Sequence, residues 1–326
     1  MLASSKAKPV GNRDLLEELA YGGRKRFEAA IYRLSRSSRR TKSMPESLSD
    51  KTWDILIARI KERRCTPFLG AGACFGSLPL GAEIARRWAA DYAYPFPNPE
   101  NLIEVAQYLA IKFDPLFPKE QILQQFAGVK SPDFNDPDEP HALLADLPLP
   151  VYMTTNYDDF MTQALKHRHR DPRRELCRWN ESLDGEESVF DTGFSPTPAN
   201  PVVYHLHGHT LPESLVLTED DYLSFLANIA RNSKLLPIPI QKALDRSTCL
   251  FIGYRLADWN FRVLFQGLRP RLKYLNIAVL NPSEDSDRAR EQRDYLNSYY
   301  ASMDLQVYWG TARQFAGELR ARWAKI

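Results

Sequence analysis

Apolar residues along this chain alternate between two spacings. From residue 50 to 61 they fall at Trp53, Leu56, Ile57 and Ile60, the i, i+3, i+4, i+7 pattern of one helix face, and Ser49 or Asp50 stands where a cap belongs. The next run, 65–69, is short and apolar and ends at Gly70-Ala71-Gly72, which predicts a buried strand breaking into a glycine turn. Runs of the same kind recur at 151–154, 202–206, 248–252, 275–280 and 305–309, and helical segments separate most of them. Segments 79–92, 101–112, 118–127 and 141–147 all read as helices and all lie between the first two strands. Parallel strands need crossover connections, so strands alternating with amphipathic helices predict a doubly wound α/β fold with a mainly parallel sheet.

Three segments depart from that alternation. The stretch from about 79 to 147 is long enough to form a helical insertion, a small subdomain or lid beside the sheet. Residues 168–200 are polar and rich in Pro and acidic residues, which predicts an irregular surface excursion. Residues 1–48 are rich in Lys, Arg and Ser yet carry Leu15, Leu16, Leu19, Phe27, Ile31 and Leu34 at helical spacing, so they read as a basic N-terminal helical extension ahead of a main domain over 49–326.

Composition narrows the function classes. At 44% hydrophobic and 26% charged residues the chain is expected to fold, and a net charge of +2 is too near neutral to make the whole molecule a nucleic-acid binder; any such contact must be local. Cys65, Cys74, Cys177 and Cys249 are too scattered for a disulfide framework or a zinc ribbon. A reducing compartment fits that usage. With no apolar run of the ~20 residues that span a bilayer and no secretory signal, a cytoplasmic protein without membrane contact is expected.

Four clusters stand at strand ends, where open parallel sheets bind ligands. Gly70-Ala71-Gly72 is the kind of turn that lets a pyrophosphate approach backbone N–H groups, although the full dinucleotide spacing is not met: Phe75 occupies the third position and Gly76 follows it. Thr154-Thr155-Asn156-Tyr157-Asp158 follows the second strand; an amide and a carboxylate at this spacing suit a ribose and a carboxamide, or cap the next helix. His205-Leu206-His207-Gly208-His209 offers an imidazole able to take a proton near neutral pH. The three histidines suggest a metal only as far as the turn at Gly208 aims them together, and no metal is expected. Gly253-Tyr254, continuing to Asp258 at a helix start, extends the same crevice.

In this order, Gly70-Ala71-Gly72, Thr154 to Asp158, His207-Gly208 and Phe251-Ile252-Gly253-Tyr254 resemble the sirtuin family over about residues 50–325. The likeness is nearest to bacterial sirtuin-like NAD⁺ hydrolases of antiphage defence. It implies a sirtuin-like Rossmann domain and NAD⁺ as substrate. It further implies that Asn156 and His207 are catalytic, that Asp158 contacts the nicotinamide carboxamide, that Thr155 binds the same NAD⁺, and that Gly70, Ala71, Gly72, Gly253 and Tyr254 hold the phosphates and adenosine ribose. Sirtuin deacylases share a four-cysteine zinc ribbon that has no counterpart here, and the loop Cys74 to Gly81 lacks their Asp-Phe-Arg sequence. Both departures favour hydrolysis of NAD⁺ to nicotinamide and ADP-ribose over protein deacylation or ADP-ribosyl transfer. A noncatalytic nucleotide-sensing or scaffold module is the contrasting class, and the joint presence of Asn156 and His207 favours catalysis.

An NAD⁺-depleting effector must be restrained until needed, so the resemblance also implies abortive infection as context, a homo-oligomer, and a separate sensor or activator such as an ATPase, an argonaute or a nucleotide-sensing subunit. The basic extension, which pairs its apolar stripe with Arg24, Lys25, Arg26, Arg33 and Arg36, is the expected assembly or partner contact. Deleting residues 1–45 should change the oligomer size seen by light scattering, or the partner dependence of NAD⁺ loss. An unchanged oligomer with normally regulated activity would make the segment dispensable.

Overall fold

A computed structural model of the protein describes residues 48–231, 235–254, 264–265, 267–281 and 287–325. The N-terminal segment through residue 47 and Asp258 lie outside the described residues. Seven parallel strands form one sheet: β1 (Cys65–Leu69), β2 (Val151–Thr154), β3 (Arg173–Leu176), β4 (Val202–His205), β5 (Thr248–Ile252), β6 (Asn276–Leu280) and β7 (Leu305–Trp309), in the order β3-β4-β2-β1-β5-β6-β7. The expected doubly wound α/β architecture is therefore present. The chain fills one side of β1 with β2, β3 and β4 and then the other with β5, β6 and β7, so the topological switch point lies between β1 and β5.

Every residue of β1, β5 and β6 is buried, as a parallel sheet covered on both faces requires. Alternate side chains go to opposite sides. Cys65, Leu69, Tyr152, Val203, Leu250 and Ile277 pack under α1 (Asp50–Lys61), whose Trp53, Leu56 and Ile60 are fully buried, together with α5 (Pro140–Asp146), α6 (Phe160–His167) and α10 (Ala312–Trp323). Phe68, Met153, Tyr204, Phe251 and Ala278 face the other layer, with Phe225 of α7 (Glu219–Arg231), Leu244 of α8 (Ile238–Arg246) and Tyr300 of α9 (Asp287–Ala301). Ser49 caps α1 as its sequence suggests, its hydroxyl accepting from Thr52 N–H at 3.2 Å.

The region between β1 and β2 divides in two. Helices α2 (Gly81–Asp91), α3 (Leu102–Lys112) and α4 (Phe117–Phe126) build a separate small core from Ile84, Trp88, Val105, Leu109 and Ile122, closed by Leu215 and Leu217. Helix α5, by contrast, packs into the main core. A nearly buried ion pair, Lys119 Nζ to Asp221 Oδ1 at 2.7 Å, ties α4 to α7, and Asp221 Oδ2 also accepts from the N–H groups of Leu217 and Thr218. A buried pair is stable only when its remaining lone pairs are satisfied in this way.

Strand β3 lies inside the segment expected to be irregular. Its sequence, Arg-Arg-Glu-Leu, has no apolar alternation because β3 is an edge strand pairing only with β4, and its exposed Arg173 and Arg174 are the charged residues that keep an open edge from pairing further.

Gly253, at φ +83°, sits where the turn after β5 meets the turn after β1, and a Cβ there would strike Ala73 N and lie 2.6 Å from Gly70 O. Gly76 has a similar φ of +88° with open space around it. Gly253→Ala should therefore cost about 2–4 kcal/mol in denaturant unfolding, and Gly76→Ala only about 1 kcal/mol. Equal losses would mean that backbone conformation alone, and not the contact between the turns, sets the requirement.

Candidate functional site

The site begins where β1 and β5 end side by side. Gly70 N–H donates to Ile252 O and Gly72 N–H to Gly253 O, both at 2.9 Å, and a Cβ on either glycine would come within 2.9 Å of Gly253 O. The glycine pair thus answers a packing need of the chain itself, and those two amides are spent on β5. Ala71 is the exposed residue of the turn. Leu69 O gathers the neighbouring elements: it accepts from Thr155 N–H at 3.0 Å, from Thr154 Oγ1 at 3.2 Å and from the Tyr254 hydroxyl at 3.0 Å. The Tyr254 hydroxyl lies 3.1 Å from Thr155 Oγ1, so the turns after β1, β2 and β5 form one hydrogen-bonded rim.

Asn156 stands on this rim. Its N–H donates to Thr154 Oγ1 at 2.9 Å, and its Nδ2 donates to Cys74 Sγ at 3.3 Å. The Cys74 thiol in turn donates to Asp158 Oδ2 at 3.2 Å, while Asp158 Oδ1 accepts from Phe160 N–H at 3.0 Å. Asp158 therefore caps α6 and faces the crevice at once. His141 Nε2 approaches the same thiol at 3.9 Å; its Nδ1–H donates to Glu139 Oε1 at 2.7 Å, and Glu139 Oε2 accepts from Ala142 N–H at 2.6 Å. Burial, then the charge of Asp158, holds the Cys74 pKa well above its ordinary value. The thiol stays neutral and acts as a donor, not as a nucleophile.

Cys74, Glu139 and His141 are not among the residues the sequence pattern points to. A signal was present: Glu139 and His141 open a helix whose following four residues, Ala142 to Ala145, are all buried and apolar, and polar side chains in such a place need a partner.

The histidine cluster is divided by its turn. His205 ends β4, and its Nδ1–H donates to Asn156 O at 3.2 Å. The chain then turns, so that the His207 ring packs edge-on against Tyr222 and Phe225, with centroids 5.3 and 5.0 Å away. Gly208, at φ +83° and pressed on the Ser214 backbone, reverses direction again and returns the His209 ring to 4.3 Å from that of His205. No hydrogen bond among the described residues joins His207 to Asn156, and His207 Nε2 is buried without a partner. Burial lowers the pKa of all three rings, that of His207 to about 3.

A doubly wound sheet with glycine turns meeting at its switch point, and an amide, a carboxylate and imidazoles on the adjoining loops, is the arrangement in which open α/β sheets form their ligand crevices. Residues 150–303 match the family model described as a SIR2-like domain. The chain is similar to the NAD(+) hydrolase ThsA of Acinetobacter baumannii (strain 532279), with 26% identity over 227 residues, covering 66% of this chain and 41% of the relative. It is also similar to the NAD(+) hydrolase ThsA of Cytobacillus dafuensis, 26% identical over 215 residues with 65% and 40% covered, and to that of Bacillus cereus (strain MSX-D12), 29% identical over 135 residues with 41% and 25% covered. The chain spans about two fifths of the length of the first two of these relatives. A chain solved in work on the mechanism and regulation of Sir2 enzymes aligns over 85% of this chain and 98% of its own length, at 10% identity and a TM-score of 0.35.

His207 supplies a prediction of acid sensitivity. Its folded pKa of about 3 lies below the ordinary 6.5, so between those values the unfolded chain binds a proton that the folded protein refuses. The sign is that stability is full above pH ~6.5 and falls as pH drops through this window. His207→Gln should flatten the acid limb of the stability curve by roughly one proton's worth of slope. Denaturant midpoints measured across that range check it, and an unchanged slope would place the proton uptake elsewhere.

Proposed function

We propose that this chain hydrolyses NAD⁺ to nicotinamide and ADP-ribose. The observation that carries the reading is the convergence of Gly70–Gly72, Thr155–Asp158 and Gly253–Tyr254 on the crevice at the β1/β5 switch point, in a chain similar to NAD(+) hydrolases. In the reaction, the bond between ribose C1′ and the nicotinamide nitrogen breaks and its electron pair leaves with nicotinamide, which becomes neutral. Positive charge develops on the ribose, and water adds to C1′ and gives up a proton. Such a step needs fixed dipoles, a dry pocket and one positioned water. Asn156, held by Thr154 and Cys74, is suited to orient the ribose and the water. Asp158 retains lone pairs for the carboxamide, and Ala71, Gly253 and Tyr254 border the place of the phosphates.

His207 is assigned the proton transfer. Its Nε2, without a hydrogen-bond partner among the described residues, can pair with a ribose hydroxyl or water once substrate is bound, and admitting that polar group relieves the burial that holds the ring's pKa down. No step of this scheme needs a metal. No helix among the described residues is long and apolar enough to cross a membrane. We further infer a cytoplasmic, oligomeric antiphage effector whose NAD⁺ depletion is restrained until a separate sensor protein releases it.

Chromatography of NAD⁺ incubated with the full chain, with its activating partner where one is required, should show nicotinamide and ADP-ribose. Asn156→Ala and His207→Ala should each lower turnover by at least ~10²-fold with the fold retained by circular dichroism, whereas His205→Ala and His209→Ala should be milder. Intact NAD⁺ under every activating condition would favour a nucleotide-sensing module. A dead His209→Ala beside a fully active His207→Ala would reverse the histidine assignment.

A further inference from the structure

Outside the residues assigned to the reaction, three side chains point ligating atoms at one another. His205 is 1% exposed, and because its Nδ1 must carry the proton donated to Asn156 O, its Nε2 presents a lone pair. Among the described residues that buried Nε2 has no hydrogen-bond partner. Asp159 Oδ1 is likewise buried without one. His209, 7% exposed, brings its Nε2 to 4.0 Å from this oxygen, and one ligating atom from each of the three residues lies within 4.8 Å of the others. Buried lone pairs do not converge without cost unless a cation or proton sits between them.

We propose that Asp159, His205 and His209 form a binding site for a single divalent cation of the zinc type. Two imidazoles and one carboxylate are a borderline N/O donor set that suits Zn²⁺ and leaves a fourth position for water, whereas Mg²⁺ and Ca²⁺ ask for oxygen ligands. The Nδ1–H of His205 on a backbone carbonyl is the outer hydrogen bond that fixes tautomer and ring in a metal-ligating histidine. Bonds of ~2.0–2.1 Å in a tetrahedral site put donors roughly 3.3 Å apart, so binding would draw the three side chains together by about 1 Å. The position at Gly208 makes this possible, since it returns His209 to the side of His205 while His207 faces the aromatic layer.

Two neighbours bear on the site. Arg174 Nη1 lies 3.7 Å from Asp159 Oδ2, occupying the oxygen the cation does not use; about half exposed, its charge is screened by solvent. The second group able to gather a cation, Cys74, His141 and Asp158, differs in that its thiol already donates to Asp158 and accepts from Asn156. An ion on the first group would tie the end of β4 to the loop after β2, and through His205 would hold the backbone of Asn156. The site does not depend on which reaction the crevice performs.

The test uses the full-length, untagged protein stripped by chelator and titrated calorimetrically with ZnCl₂, with MgCl₂ as the control. Wild type should bind a single Zn²⁺ and gain thermal stability from it, and Mg²⁺ should do neither. Asp159→Asn and His209→Gln should each weaken zinc binding by at least ~10-fold and abolish the thermal gain, while Cys74→Ser should leave both unchanged. Asp159→Asn, at a half-buried position and nearly isosteric, keeps the test decisive if His209→Gln does not fold. Failure of folded wild type to bind zinc, zinc binding indifferent to both ligand variants, or binding lost only in Cys74→Ser would each overturn the proposal.

Discussion

The backbone contact between the turns after β1 and β5 is the constraint on which the rest of the site rests. Gly70, Gly72 and Gly253 let two main chains approach to hydrogen-bonding distance at the carboxyl ends of adjacent parallel strands, where any side chain would hold them apart. That approach sets the position of the Ala71–Cys74 turn, and so of the Cys74 thiol. It also brings Tyr254 over Leu69 O, which the threonines after β2 share. A crevice whose rim is cross-linked by backbone groups can hold Asn156 in one orientation without relying on long, flexible side chains.

Around this rim, the Asp158 carboxylate is met by neutral donors, the Cys74 thiol and the Phe160 amide. The Cys74 thiol keeps its proton because burial and the Asp158 carboxylate both oppose its loss, and the buried imidazoles stay neutral because burial opposes gaining one. Low local dielectric strengthens each of these dipoles and makes every unpaired one costly. Among the described residues around this rim, the unpaired atoms that remain lie on His207 on one side of the turn and on Asp159 and His205 on the other. The turn at Gly208 separates them: one histidine is sent into the aromatic layer and two toward the loop that carries Asn156.

Much of the fold was legible in the sequence because burial leaves a periodic trace. Six of the seven strands and the helices of the insertion follow from apolar runs and 3.6-residue spacing, since both depend on how a single segment meets a core. Strand β3 left no such trace, because an edge strand needs only one hydrogen-bonded neighbour and is free to be charged. The extent of the insertion was likewise open, for α5 reads as one more helix in the same run and only packing assigns it to the main core.

By itself the sequence determined the parallel α/β class, the strand ends at which polar residues collect, and the candidates Gly70, Ala71, Gly72, Thr155, Asn156, Asp158, His207, Gly253 and Tyr254. Those properties are local: each is written in residues close together in the chain. Only the tertiary structure decided that the glycines press on one another, that Cys74, Glu139 and His141 join Asn156 and Asp158, and that His205 and His209, not His207, lie beside Asp159. The physical reason is distance along the chain. Contacts between residues about 45 to 185 apart are set by strand order and by the sign of φ at a few turns, and neither is visible in the spacing of apolar residues.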